Sequence, residues 1–272
     1  SARLSDHALR QTLRLGSLMR QAYASFYAVY AQTLQDAQRL EQAGAVAARV
    51  SGNFKFDVSL PESQIQHGRE FAKSLGRKIV VIASTREGED EPFVQAIEHA
   101  VKRASTQGRD LQDELLFCLI PRHPQRFDEA AALLERSKLP FVRRSDWRAV
   151  GEGGALAARS CEGKLVLLGD TLGEMAYYYS ASQIAIIGGS FAPLGGQNFI
   201  EACAVGAPVI VGPHTRNFEQ AVVDAMDEGA AMRAHHPEAA LKLALQLLDE
   251  PQRLSRMGEA GILEGDDVIV GR

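Results

Sequence analysis

The densest chemistry in this sequence lies between Gly188 and Glu201, where the glycine pairs Gly188-Gly189 and Gly195-Gly196 precede Asn198 and an expected helix. Glycine lets a backbone approach a ligand closely, and a helix starting near Asn198 would offer free N–H groups and a positive dipole end to a phosphate. Glu201, one turn further on, is too acidic to face that phosphate. Its carboxylate can instead accept hydrogen bonds from both hydroxyls of a ribose, so the segment would grip a nucleotide. Asn198-x-x-Glu201 is equally the pattern of a capping box, and the flanking glycines tip the reading towards the nucleotide. Arg122 sits between Pro121 and Pro124 after an apolar run. It starts from a restricted backbone and can make a bidentate phosphate contact, a surface arginine on a turn being the alternative. Thr171-x-x-Glu174 is a second capping pattern, whose N–H groups at Leu172, Gly173 and Glu174 could read the edge of a base.

Other groups point less clearly to a ligand. Thr85, Glu87 and Glu89 read as the acidic first turn of a helix, which the helix dipole explains. His123 beside a proline reads as a hydrogen-bonded turn residue, His214 is ambiguous, and Asn217-x-x-Gln220 is a helix start. His235 and His236 are adjacent, so their side chains share no face for a metal, and a solvated loop is the expectation. Tyr177-Tyr178-Tyr179 reads as helix packing.

These loops need a scaffold, and the chain supplies one. Apolar runs recur at Lys78–Ala83, Leu115–Ile120, Pro140–Val142, Leu165–Leu168, Ile184–Ile187 and Pro208–Val211, mostly followed by a turn and a helix-period stretch. Runs apolar on both faces with helices between them predict an α/β fold, a doubly wound parallel sheet, here over Asp57–Arg272. Ligands of such sheets bind outside the carboxyl ends of the strands, where all the loops above would lie. Residues 1–56 differ. They offer a helical stretch through Leu13–Tyr23, an apolar segment Tyr27–Ala31, a helix Leu34–Gln42 and a strand Ala48–Ser51, like the tail of another α/β unit. Gly151–Glu162 is expected to be a flexible surface loop.

Composition limits the alternatives. A chain of 272 residues with 46% hydrophobic and 24% charged residues can bury a sizeable core. Thirty Lys+Arg against 34 Asp+Glu leave a net charge of -4, so no global basic field exists for a nucleic-acid backbone or an anionic membrane. Cys118, Cys161 and Cys203 are widely separated, which suggests reduced, buried thiols in a cytoplasmic setting rather than zinc ligands. No apolar run approaches the ~20 residues that span a bilayer. A start at Ser1-Ala2-Arg3 without Met suggests a piece of something longer.

Taken in order, GNFKFD (Gly52–Asp57), STREGE (Ser84–Glu89), PRHPQRF (Pro121–Phe127), LGDTLGEM (Leu168–Met175), GGSFAPLGGQNFIEA (Gly188–Ala202) and GPHTRNF (Gly212–Phe218) resemble the lipid A Kdo transferases. These bacterial 3-deoxy-D-manno-octulosonic acid transferases act in lipopolysaccharide assembly. The resemblance covers essentially the whole chain. It implies a GT-B architecture, with residues 1–56 as a remnant of the N-terminal, acceptor-binding α/β domain and residues 57–272 as the donor domain. It further implies an inverting transfer of Kdo from CMP-Kdo to a lipid A precursor, with no metal and no cofactor beyond the donor substrate. The complete protein would work at the cytoplasmic face of the inner membrane, held there by an N-terminal part this chain lacks, which would also carry the general base. By resemblance, Pro121, Arg122, Leu172, Gly173, Glu174, Asn198, Phe199, Ile200 and Glu201 match CMP-contacting positions. Lys55, otherwise an exposed strand-end lysine, matches a transition-state stabiliser. Gln197 departs from the family's usual His and Gln183 from its common Asp. A GT-B-like sugar-nucleotide epimerase and a non-catalytic nucleotide-binding module remain as alternatives.

Overall fold

The computed structural model describes residues 2, 4–31, 34–50, 60–147 and 154–269. The chain divides into two compact units, Ser1–Val58 with Asp266–Arg272, and Ser59–Gly265.

The first unit holds α1 (Asp6–Arg14), α2 (Ser17–Ala24), β1 (Tyr30–Ala31), α3 (Leu34–Ala43) and β2 (Arg49–Val50). The single helix expected through Leu13–Tyr23 is instead two. Gly16 takes φ 60° between them, a left-handed conformation that stops α1 and starts α2. β1 and β2 pair in parallel, with Ala2 bridging to Ala31. Beneath them Leu4, Leu9, Val29, Ala37 and Leu40 form a small core. The buried Asp36 accepts the Leu4 N–H at 3.0 Å.

In the second unit the chain runs α4 (Glu62–Leu75), β3 (Lys78–Thr85), α5 (Asp90–Thr106), α6 (Leu111–Glu114), β4 (Leu115–Pro121), α7 (Phe127–Ser137), β5 (Phe141–Arg143) and α8 (Gly154–Ser160). It continues through β6 (Val166–Leu168), α9 (Met175–Ala181), β7 (Ile184–Ile187), α10 (Ile200–Ala204), β8 (Val209–Val211), α11 (Glu219–Asp227), β9 (Ala231–Arg233) and α12 (Pro237–Leu248). A last helix, α13, spans Pro251–Ile269 and so runs past the end of this unit at Gly265. The strands form one seven-stranded sheet in the order β5-β6-β4-β3-β7-β8-β9, every pairing parallel. Ile79 to Ala83 of β3 are wholly buried, as a central strand covered by helices on both faces requires. Each isoleucine and valine among them contributes roughly 1.5–3 kcal/mol through burial.

Gly154–Ser160 is helical, contrary to the loop expected over Gly151–Glu162; residues 151–153 lie outside the described residues. Its packed face consists of Gly154, Ala157 and Ala158, residues too small to leave a periodic hydrophobic signal. A Cβ on Gly154 would come within 2.5 Å of the Glu70 carbonyl carbon, so the absent side chain is what lets α8 lie against the α4 backbone. The edge strand β9 is three residues long and has no apolar run to announce it.

Strand order places the site. From β3 the chain moves outward to β4 and beyond, then returns past β3 to start the other half of the sheet at β7. Loops leaving β3 and β7 in opposite directions open a crevice at the carboxyl ends, the usual ligand position of a doubly wound sheet.

Candidate functional site

At this switch point Ser84 adopts φ 56° and the β3–β4 register slips between Ala83 and Thr85. Gly188, directly after β7, lies so near that a Cβ on it would meet the Thr85 Cα at 2.6 Å. The loop beyond Gly188 is organised by Glu89, a residue with only 1% exposure. Its Oε2 accepts N–H groups from Gly189 at 2.6 Å and Arg86 at 2.8 Å, and its Oε1 accepts those of Phe191 at 2.9 Å and Ala192 at 3.0 Å. The expectation that Glu89 merely meets the dipole of α5 is therefore corrected. Three of its four partners are a hundred or more residues away in sequence, where no local pattern could reveal them. The same bonds change the role of the first glycine pair, because part of its N–H set already serves an internal carboxylate.

The second pair, Gly195-Gly196, takes φ 89° and 83°, and the Gly196 N–H donates to the Gly189 carbonyl at 2.7 Å. Asn198 follows. Its Oδ1 accepts the Ile200 N–H at 3.1 Å and its Nδ2 donates to Glu201 Oε1 at 3.1 Å. A helix does begin here, but α10 has five residues and starts at Ile200, so the dipole expected at Asn198 is that of little more than one turn. Phe199 is buried edge-on against Phe218, and its carbonyl accepts the Ala202 N–H at 3.0 Å and the Cys203 N–H at 3.2 Å. Burial pushes the Glu201 carboxyl above its usual range, against the opposing pull of Asn198 and the positive charge of Arg122. Both Glu201 and Arg122 also act electrostatically on the buried Tyr179, so the two predicted ligand groups share one neighbourhood.

Arg122 follows Pro121, the last residue of β4, and its N–H donates to the Thr85 carbonyl at 2.9 Å. Its side chain is exposed, and no ion pair to a carboxylate engages it among the described residues. Behind it Arg126 makes a buried ion pair with Asp90 at 2.5 Å, tying the turn after β4 to the start of α5.

Thr171 and Glu174 do not form a capping box. The Thr171 hydroxyl donates to the Glu174 carboxylate, and Glu174 is the N-cap position of α9 without a side-chain cap bond. Leu172 is exposed and Gly173 takes φ 79°, its carbonyl accepting from Gln64 Nε2 at 2.8 Å. Sequence reasoning missed the clamp on this loop. Arg144 pairs with Glu174 at 2.6 Å while lying over the ring of Trp147, and Asp170 accepts from Ser145 N–H, Ser145 Oγ and Arg143 Nε. Burial opposes ionisation of Asp170, but these bonds outweigh it and hold the carboxyl below its usual value.

Lys55 lies outside the described residues. His235 and His236 are exposed in the bend before α12, as the sequence suggests, and His236 also caps that helix, its Nδ1 accepting the Ala239 N–H at 3.1 Å. Among the described residues no group of three or more His, Cys, Asp or Glu is arranged to hold a metal ion. Two cavities, of about 540 and 450 Å³, sit at the amino ends of the strands, far from these loops. Their volume does not make them the site. Arg109 there is already paired with Glu114, and Arg77 spends its guanidinium on the carbonyls of Gln112, Leu115, Lys164 and Cys161.

A seven-stranded parallel sheet whose switch-point loops gather two glycine pairs, a half-buried glutamate and an arginine with no ion pair among the described residues has the doubly wound arrangement of a GT-B glycosyltransferase domain. The C-terminal CMP-Kdo binding domain of WaaA from Acinetobacter baumannii matches it at 25% identity and TM-score 0.63, over 78% of this chain and 100% of that one. Anabaena HepE in complex with UDP shares the fold, at 14% identity and TM-score 0.53 over 95% of this chain and 65% of that one. Residues 1–58 match the family model of 3-deoxy-D-manno-octulosonic-acid transferase. A transferase of that name from Bordetella pertussis is 52% identical over 96% of this chain and 58% of its own length; one from Haemophilus influenzae is 33% identical over 78% and 46%. The chain belongs to the Kdo transferase family and spans about half the length of these relatives. No helix among the described residues is long and apolar enough to cross a membrane.

Proposed function

We propose that this chain supplies the donor-binding part of a glycosyltransferase that moves Kdo from CMP-Kdo to a lipid A precursor at the cytoplasmic face of the bacterial inner membrane. In this reading the second unit is the CMP-sugar domain and the first belongs to the acceptor-binding domain. The observation that carries it is the shared neighbourhood of Arg122 and Glu201 beside the switch point, in a chain of this family. Arg122 faces the departing phosphate, Glu201 the ribose, and the clamped loop at Leu172, Gly173 and Glu174 the cytosine edge. Asn198 orients Glu201, and Pro121, Phe199 and Ile200 contribute backbone and shape. A base in the part of the enzyme beyond this chain removes the proton of the attacking hydroxyl, and inversion follows as CMP leaves. Lys55 neutralises charge growing on that phosphate. A calorimetric competition tests the donor assignment. CMP should bind at least tenfold more tightly than UDP, and preference for UDP would point to another sugar nucleotide.

Lys55→Ala in the complete enzyme should lower kcat at least tenfold with donor affinity changed less than about threefold, because its interaction strengthens only in the transition state. The reverse split would make Lys55 a ground-state binding residue.

Burial raises the Glu201 carboxyl, so CMP affinity should fall on acidification at a pH above the ~4.3 of an ordinary glutamate. The sign for folding is opposite. A raised folded value makes the ionised group costly to the fold, a cost absent below the unfolded value and complete once pH has risen through the folded one. Titrations of CMP across pH should show the loss, and Glu201→Gln should flatten it.

A further inference from the structure

We infer that Glu89 is a positioning residue of the donor site, an internal anion whose carboxylate fills a backbone nest that would otherwise hold a phosphate or a small carboxylate. The inference rests on the nucleotide reading given above and goes beyond it, since Glu89 touches no ligand in that scheme. A carboxylate has about four lone-pair sites, and here four N–H groups take them, two on each oxygen. Successive N–H groups turned towards one point make an anion-binding concavity, and Gly189, Phe191 and Ala192 form one at the switch point of the sheet. The side chain leaves its own helix uncapped to reach it, since Glu89 is the N-cap residue of α5 and makes no cap bond.

A chain of contacts links this nest to the ligand groups. Gly189 accepts the Gly196 N–H at 2.7 Å, and a Cβ on Gly189 would lie 2.9 Å from Gln197 Cγ. Gln197 is followed directly by Asn198, which holds Glu201. Where Glu89 fixes Gly189, it fixes the start of the segment that presents Asn198 and Glu201. The carboxylate also takes the N–H groups of this nest away from a substrate phosphate, which leaves the phosphate to Arg122.

The test is chemical rescue. CMP is titrated calorimetrically into the chain carrying Glu89→Ala or Glu89→Gln, with and without sodium formate, while hydrogen exchange follows the amides of Gly189, Phe191 and Ala192. Glu89→Ala should weaken CMP at least tenfold and lose protection at those amides, with the rest of the sheet unchanged. Formate entering the vacated nest should restore at least threefold of the affinity and part of the protection. Glu89→Gln should weaken CMP without responding to formate, since its side chain still fills the space and presents an NH2 to the N–H groups. Unchanged CMP affinity in Glu89→Ala overturns the inference, as does a loss that formate does not reverse. Should the unaltered chain bind no CMP, the nucleotide reading falls by itself, and the formate-dependent amide protection alone decides whether the carboxylate holds the loop.

Discussion

Glu201→Ala should raise the dissociation constant of CMP on the order of hundredfold. A carboxylate receiving two ribose hydroxyls makes charge-assisted bonds worth roughly 1.5–3 kcal/mol each, and the burial that already disfavours its ionised form offsets part of the sum. About 3 kcal/mol remains, which is two decades of affinity. Comparing CMP with its 2′-deoxy analogue isolates the contact. The unaltered chain should discriminate between them, and Glu201→Ala should bind both alike. If Glu201 served the helix start alone, the substitution would cost about 1 kcal/mol of stability and leave that ratio untouched. The structure already weakens that alternative, because Glu201 receives the Asn198 side-chain amide while the Ile200 N–H is taken by Asn198 itself.

Which features the chain announced locally, and which it did not, follows from the range of the interactions involved. Buried parallel strands must be apolar on both faces, so β3, β4 and β7 stand out as uninterrupted runs, and with them the loops at their carboxyl ends where Arg122 and Gly188–Glu201 lie. Helix α8 was hidden because close packing against α4 demands glycine and alanine, residues that also suit a flexible loop. The bonds that shape the site were hidden for another reason. Glu89 meets Gly189 across a hundred positions, and Arg144 meets Glu174 across thirty, so the acidic residues look like helix-start chemistry until the fold brings their partners in. The predicted dipole at Asn198 failed on length: Gly206, at φ 79° and where a Cβ would meet Ile262 Cδ1 at 3.1 Å, comes too soon after Ile200 for more than about one turn.

The buried pair behind Arg122 should be the most sensitive point of the scaffold. Asp90 and Arg126 have side chains 4% and 10% exposed, and their 2.5 Å contact joins α5 to the turn that carries Arg122. Burial already raises the Asp90 carboxyl, with Thr85 and Arg126 pulling it back. Arg126→Ala removes the guanidinium and leaves a carboxylate stranded in the core, which costs about 3 kcal/mol or more. For a chain of this size that lowers the unfolding midpoint by roughly 6–12 °C. The deficit must depend on pH. A group whose folded value is raised contributes most below its unfolded value and loses that contribution as pH rises through the folded one; without Arg126 the folded value rises further, so the deficit should be full at neutral pH and shrink on acidification as Asp90 takes a proton. Adding Asp90→Asn to Arg126→Ala should recover part of the loss at neutral pH and almost none in acid. A deficit of equal size at every pH would mean that lost packing by the arginine stem, and not the stranded charge, sets the stability of this corner, and the turn holding Arg122 would then owe its position to van der Waals contact alone.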